Sequence, residues 1–413
     1  MELQFLAAFL SALLTSSSIH STMAIGVLKV HRKFPVMGSG YKRSNIVALR
    51  TYDRNRHRRR LEAVDLPLGS PLGDGLYYTK IGIGTPAKQY YVQVDTGSDA
   101  FWVSCISCKG CPHKSDILSK LSFYDPRSSV SSKLVKCDDM FCSSSEYWSI
   151  QSKCNRSLLC PYFLSYADRS TTVGVFVNDL VHYHQLSGNG QTQTTNASVI
   201  FGCGLQQSGN FNSSYGALDG IIGFGDSNNT VLSQLAAAGK TKKIFSHCLD
   251  TINGGGMFAI GEVMEPKVKT TPIVANNWIY YNVNLKSIDV GGTALQLPIT
   301  ILETTNTTGT IIDSGSSLVY LPDIVYKELI VDSRFPKVSF QFENDLPLDV
   351  YPHDYLLEYE GKLYCVGFQD ATNKQGGGLS LNIAISNKLV VYDIENKVIG
   401  WTEYTCKYQL IQL

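Results

Sequence analysis

The chain has 413 residues, 44% of them hydrophobic and 17% charged, with a formal net charge of +1, which is enough for two domains with separate cores. The charge is uneven: residues 1–60 hold 11 Lys/Arg against Glu2 and Asp53, which leaves 25 bases against 33 acids, about −8, for residues 61–413. An acidic body is a poor partner for nucleic acid, and the Gly- and Tyr-rich globular composition leans towards β structure.

Residues 1–23 carry an apolar run from Phe5 to Leu14 followed by small polar residues, which suits a signal peptide and is too short for a membrane span. Its start is atypical, with Glu2 and no Lys or Arg. Residues 24–68 are basic and contain "RNRHRRR". They read either as a disordered tail or as a pro-segment whose cations cover an acidic cleft until cleavage. No second apolar run of spanning length follows, and the C-terminus has no lipid-anchor pattern. The expectation is a chain of the secretory pathway, extracellular (apoplastic) or vacuolar, without a stable membrane anchor. Sequons begin at Asn155, Asn196, Asn212, Asn228 and Asn306.

From "GLYYTKIGIGTPAKQYYVQVDTGSD" onward, short alternating stretches punctuated by Gly, Pro, Asn and Ser predict strands. Helices are expected only at Thr230–Ala238 and Asp323–Ile330. Asp95 sits in the apolar stretch "VQVDTGSDAFWV", where a buried carboxylate is costly unless it is paired, hydrogen-bonded or functional. An ordinary turn-capping Asp is the competing reading. Cys105, Cys108, Cys111, Cys137, Cys142, Cys154 and Cys160 crowd together, while Cys203, Cys248, Cys365 and Cys406 are dispersed. A metal or iron–sulfur site is conceivable for the first run, but a secretory leader favours disulfides. Eleven cysteines cannot all pair within one chain. No metal or other cofactor is expected.

The decisive pattern is a repeat: "YVQVDTGSD" returns as "GTIIDSGSS", which puts Asp313 in the second half where Asp95 stands in the first. With this repeat, "DGIIGFG" at 219–225, "FGCG" at 201–204, "FSHCL" at 245–249 and "YDIENKVIGW" at 392–401, the chain resembles the pepsin-like aspartic endopeptidases, nepenthesin-like plant branch. The resemblance covers roughly residues 75–330 and 335–413. It implies a mainly β, bilobal acid-protease fold, with two β lobes related by a pseudo-twofold axis, a central cleft and a shortened second lobe. The lobes are expected at 69–265 and 266–413.

The resemblance assigns a catalytic dyad to Asp95 and Asp313, which share one proton and activate a water at acid pH. Gly97 and Gly315 let backbone amides approach the carboxylates, Thr96 and Ser314 brace the two loops, and Ser98 and Ser316 add hydrogen bonds. Tyr166 matches the flap tyrosine and Trp102 the tryptophan that supports it. Ala167 and Arg169 replace two glycines usual in that flap, so strain is expected there. Leu381-Asn382 stands where the branch has Gly-Asp, and "KELIVDSRFPKV" lacks a segment that would hold the partner of Cys365. Residues 330–335 therefore read as the scar of a deletion. The implied protein is a monomeric zymogen that binds extended polypeptides and its own pro-segment. The alternative is a pepsin-like binding or inhibitor protein without catalysis.

Overall fold

A computed structural model describes residues 25–32, 77–144, 157–166, 168–186, 192–249, 255–262, 266–275, 279–306, 308–316, 318–331, 335–359, 363–371, 379–381 and 383–406. Short strands with one apolar face are stable only when neighbours pair their edges and cover that face. Here 19 of them join one mixed sheet system, with a four-stranded sheet and a two-stranded hairpin beside it.

The two halves repeat one local topology. Strand Lys88–Asp95 runs parallel to Gly220–Gly223, and Phe101–Lys109 returns antiparallel to it, with Phe101 opposite Ile222. In the second half, Thr310–Ile311 runs parallel to Leu379–Leu381, and Val319–Leu321 returns antiparallel with Val319 opposite Leu381. In each half an Asp lies at the loop between two strands that clasp a third.

This register corrects the expectation that Leu381 takes the glycine position. Leu381 is the counterpart of Ile222 and is fully buried. Asn382, outside the described residues, follows it in the chain as Gly223 follows Ile222. Gly223 itself has no room for a side chain, since a Cβ there would lie 2.5 Å from the Ser98 carbonyl oxygen.

A six-stranded array joins the halves, in the order Ile25–Arg32, Gly256–Ile260, Ile244–Leu249, Lys388–Asp393, Val398–Glu403 and Lys269–Val274. Its first strand comes from the segment expected to cover the cleft as a basic pro-segment. Within that segment "IGVLKV" pairs with Gly256–Ile260 and with Tyr77–Ile83, a placement that suits its β-branched Ile25, Val27 and Val30. Residues 33–68 lie outside the described residues. On the array, Phe224, Phe245, Phe258 and Tyr392 pack ring to ring at 4.3–5.4 Å.

Both expected helices form. Val231–Ala237 starts where the Thr230 hydroxyl accepts the Ser233 N–H, and Asp323–Val331 ends at the expected scar. Residues 332–334 are outside the described set, and Phe335 emerges 42% exposed at φ +50°. A bulky apolar residue in the left-handed region is a strained junction.

Candidate active site

A carboxylate at the end of a buried apolar strand needs hydrogen bonds to hold its charge. Asp95 closes strand Lys88–Asp95 and is fully buried, and Asp313 is buried two residues beyond Thr310–Ile311. The Gly97 N–H donates to Asp95 Oδ1 at 3.0 Å, and the Ser98 hydroxyl donates to Oδ2 at 2.5 Å. In the second copy the Gly315 N–H donates to Asp313 Oδ1 at 2.7 Å, and the Ser316 hydroxyl donates to Oδ2 at 2.8 Å.

The two loops are tied to each other across a sequence separation of 218 residues. Thr96 Oγ1 accepts the Ser314 N–H at 2.8 Å, and Ser314 Oγ accepts the Thr96 N–H at 3.4 Å. The Thr96 hydroxyl also donates to Asp313 Oδ1 at 3.3 Å. Gly97 touches both carboxylates: its amide serves Asp95, while a Cβ on it would sit 2.8 Å from Asp313 Oδ1. The two carboxylates are thus held on either side of one glycine.

A hairpin is tied to the strand that leaves the Asp95 loop. Strands Pro161–Ser165 and Thr171–Leu186 are joined through a turn in which the Arg169 N–H bonds to Tyr166 O and the Tyr166 N–H to Ser170 O, both at 2.9 Å. Tyr166 Oη accepts from Trp102 Nε1 at 2.8 Å, and both rings pack on Phe211 at 5.2 Å. Trp102 lies on the strand leaving the Asp95 loop, so this bond ties the hairpin to that loop. Arg169 sits at φ +65°, the conformation a glycine would supply freely. Ala167 is outside the described residues.

Two further groups complete the surroundings. Asp219 accepts the Tyr91 N–H at 2.7 Å and the Ser122 N–H at 2.6 Å, and burial still pushes its carboxyl up to about 6. Tyr392 is fully buried against the Asp313 strand, with its hydroxyl 3.2 Å from His247 Nε2. Burial, with Asp313 adding to it, holds that hydroxyl well above the usual phenol range.

The family described as xylanase inhibitor, N-terminal, matches residues 77–262, and its C-terminal counterpart matches residues 280–332 and 331–403. Aspartic proteinase 39 of Arabidopsis thaliana is 44% identical over 416 residues, covering 92% of this chain and 84% of that protein. Aspartic proteinase 36 of Arabidopsis thaliana is 45% identical over 402 residues, covering 88% and 82%. The chain belongs to the plant pepsin-like aspartic proteinase family. Among solved structures, basic 7S globulin from soybean is similar in fold, with a TM-score of 0.63, 16% identity and coverage of 93% of this chain and 96% of that one.

Within this aspartic proteinase frame the cysteine run is a disulfide framework, not a metal site. Cys105 bonds to Cys203, Cys108 to Cys111, Cys142 to Cys160 and Cys248 to Cys406, and Cys137 is disulfide-bonded as well. Cys154 is outside the described residues, and none of these four bridges includes Cys365. Of the sequons, Asn196, Asn212, Asn228 and Asn306 are exposed and Asn155 is undescribed. The Asn212 amide, oriented so that its nitrogen donates, reaches the carbonyls of Gln207 at 2.7 Å and Gly110 at 2.6 Å. Sequence reasoning gave no role to Tyr392, His247, Asp219 or Phe211. The motifs "FSHCL", "YDIENK" and "DGIIGFG" contain the first three, but only the fold shows what they face.

Proposed function

We propose that this chain is an aspartic endopeptidase of the secretory pathway, extracellular or vacuolar, made as a zymogen and cleaving extended polypeptides at acid pH. The carrying observation is the pair of loops that bring Asp95 and Asp313 onto Gly97 and tie them through Thr96 and Ser314. In this reading one carboxylate takes a proton from a water as its oxygen attacks the scissile carbonyl carbon. The other donates its proton to the carbonyl oxygen. The tetrahedral diol then collapses: the amide nitrogen takes a proton, the C–N bond breaks and the acid and amine leave without a covalent enzyme intermediate. Tyr166, held by Trp102, closes over the substrate. The basic residues between 33 and 60 shield the acidic body until they are cut away.

A second reading is a pepsin-like protein that binds without cleaving. Asn382 at the chain position of Gly223, the strained Phe335 and the family match that breaks at 331–332 all favour it. The test is to express residues 24–413, acidify, and follow cleavage of an unfolded protein with and without a transition-state-like aspartic proteinase inhibitor. Acid-dependent, inhibitor-sensitive cleavage that Asp95→Asn abolishes supports the peptidase. Folded protein without such cleavage leaves the binding reading.

A further inference from the structure

The second half reaches back to the first at residues 279–283. This segment ends in strand Asn282–Val283, which pairs antiparallel with Thr310–Ile311, the strand that leads to Asp313. On the way it meets the chain just after "GIIG". The Asp226 N–H donates to the Ile279 carbonyl at 2.8 Å, and the Tyr281 hydroxyl donates to the Phe224 carbonyl at 2.6 Å. A carbonyl can only accept, so the direction of the Tyr281 bond is fixed. The approach is close, since a Cβ on Gly225 would lie 2.8 Å from the Ile279 oxygen.

Both ends of this contact continue to the aspartate loops through backbone bonds. The Phe224 N–H donates to the Asp95 carbonyl and the Gly225 N–H to the Ser98 carbonyl, each at 2.8 Å. On the other side the Ile312 N–H donates to the Tyr281 carbonyl at 3.5 Å, a long bond steadied by the pairing of Asn282 with Ile311 beside it. One side chain therefore completes a path from the Asp95 carbonyl through Phe224 and Tyr281 to Ile312, the residue before Asp313. Tyr281 is buried, and its ring packs against Phe245 at 5.8 Å and Tyr392 at 5.0 Å. A phenylalanine would fill the same space, so packing does not account for the buried hydroxyl.

We propose that Tyr281 is a positioning residue, a buried strut that sets the separation of the two aspartate loops. Thr96 and Ser314 join the loops directly, whereas Tyr281 joins the backbone on which each loop stands. Buried hydrogen bonds in series polarise one another, so removing one link weakens those on either side. The second-half residues of the strut, 279–283 and 310–313, all precede the break in the family match at 331–332. Asp313 is thus held by the part of the second half that comes before that break. The catalytic consequence rests on the peptidase reading above, but the strut itself does not.

The test compares hydrogen exchange in the chain from residue 24, parent against Tyr281→Phe, with Tyr124→Phe as a control. The Tyr124 hydroxyl donates to Asp179 Oδ2 at 2.7 Å, so the control loses a buried bond of similar length within the first half alone. The strut predicts that Tyr281→Phe speeds exchange of the Phe224 and Ile312 amides, one in each half, by about tenfold. Tyr124→Phe should change neither by more than about twofold. Faster exchange at Phe224 with Ile312 unchanged overturns the strut, and so does an equal response in the control. In cleavage assays Tyr281→Phe should lower kcat about tenfold with KM within about twofold. It should also narrow the acid bell of kcat/KM by about half a pH unit, because carboxylates held less closely interact less. Tyr124→Phe should leave both limbs of the bell in place. A lower melting temperature for Tyr281→Phe with kcat and both limbs unchanged overturns the positioning role. If the parent does not cleave but both amides open in Tyr281→Phe, the peptidase reading fails and the strut stands. If the parent cleaves and the Ile312 amide keeps its rate, the strut fails alone.

Discussion

Gly97 carries the tightest constraint in the site, because one residue both donates to Asp95 and leaves room for Asp313. Gly97→Ala would put a methyl group 2.8 Å from Asp313 Oδ1, so the two carboxylates must separate. A displacement approaching 1 Å is enough to cost about 100-fold in rate. The expected outcome is a loss of that size in kcat/KM with a melting temperature close to the parent's. Arg169 is the converse case, a side chain where the backbone asks for none. Arg169→Gly removes a left-handed penalty of about 1 kcal/mol and should raise the melting temperature by a few degrees. A fall in melting temperature would mean that the guanidinium contributes more than the backbone strain costs.

Asp219 makes stability depend on pH. Its folded pKa of about 6 lies above the ordinary 3.8, so the folded state binds the proton more tightly than the unfolded chain. That contribution is complete below about 4 and is lost as pH rises through about 6. Buried His247 acts in the opposite sense, since its lowered pKa removes stability as pH falls from about 6.5 towards 3. Comparing melting curves of the parent and Asp219→Asn from pH 4 to 7 cancels the histidine. The gap between the two should shift in favour of the variant as pH rises.

At the scale of elements, the Ile25–Arg32 strand is the test of how the sheet is closed. It covers five residues of Gly256–Ile260 and three of Tyr77–Ile83. Deleting residues 24–32 leaves both edges unpaired, and open edges invite association. Amides of Gly256–Ile260 should lose hydrogen-exchange protection in the deletion variant and the protein should self-associate. Unchanged protection would show that the strand is dispensable. Its cationic neighbours hid this strand from sequence reasoning, which weighed charge over the β-branched residues Ile25, Val27 and Val30. The paired strands around Asp95 and Asp313 were legible because each repeats the same apolar flanks and the same Asp-hydroxyl-Gly-Ser order. The position of Leu381 was not, because a one-residue register is set by ladder pairing and burial, which adjacent apolar residues do not reveal.

At the scale of the molecule, the two-lobed plan followed from the family resemblance that the internal repeat carries, whereas the surroundings of Tyr392, His247 and Asp219 form only when distant strands meet. Phe245, His247 and Tyr392 look like ordinary apolar-face residues along the chain. Only the fold sets the Tyr392 hydroxyl 3.2 Å from His247 Nε2 and 3.5 Å from the carbonyl of Ile312, next to Asp313. The remaining question of function is whether a second lobe that matches its family in two pieces still presents Asp313 correctly. The most direct measurement is the pH dependence of kcat/KM for cleavage of an unfolded protein substrate by the acid-treated chain from residue 24. A proton-sharing dyad predicts a bell confined to acid pH with two titrating limbs, and its loss in either Asp95→Asn or Asp313→Asn. Cleavage that keeps rising towards neutral pH, or that survives Asp313→Asn, would contradict the dyad.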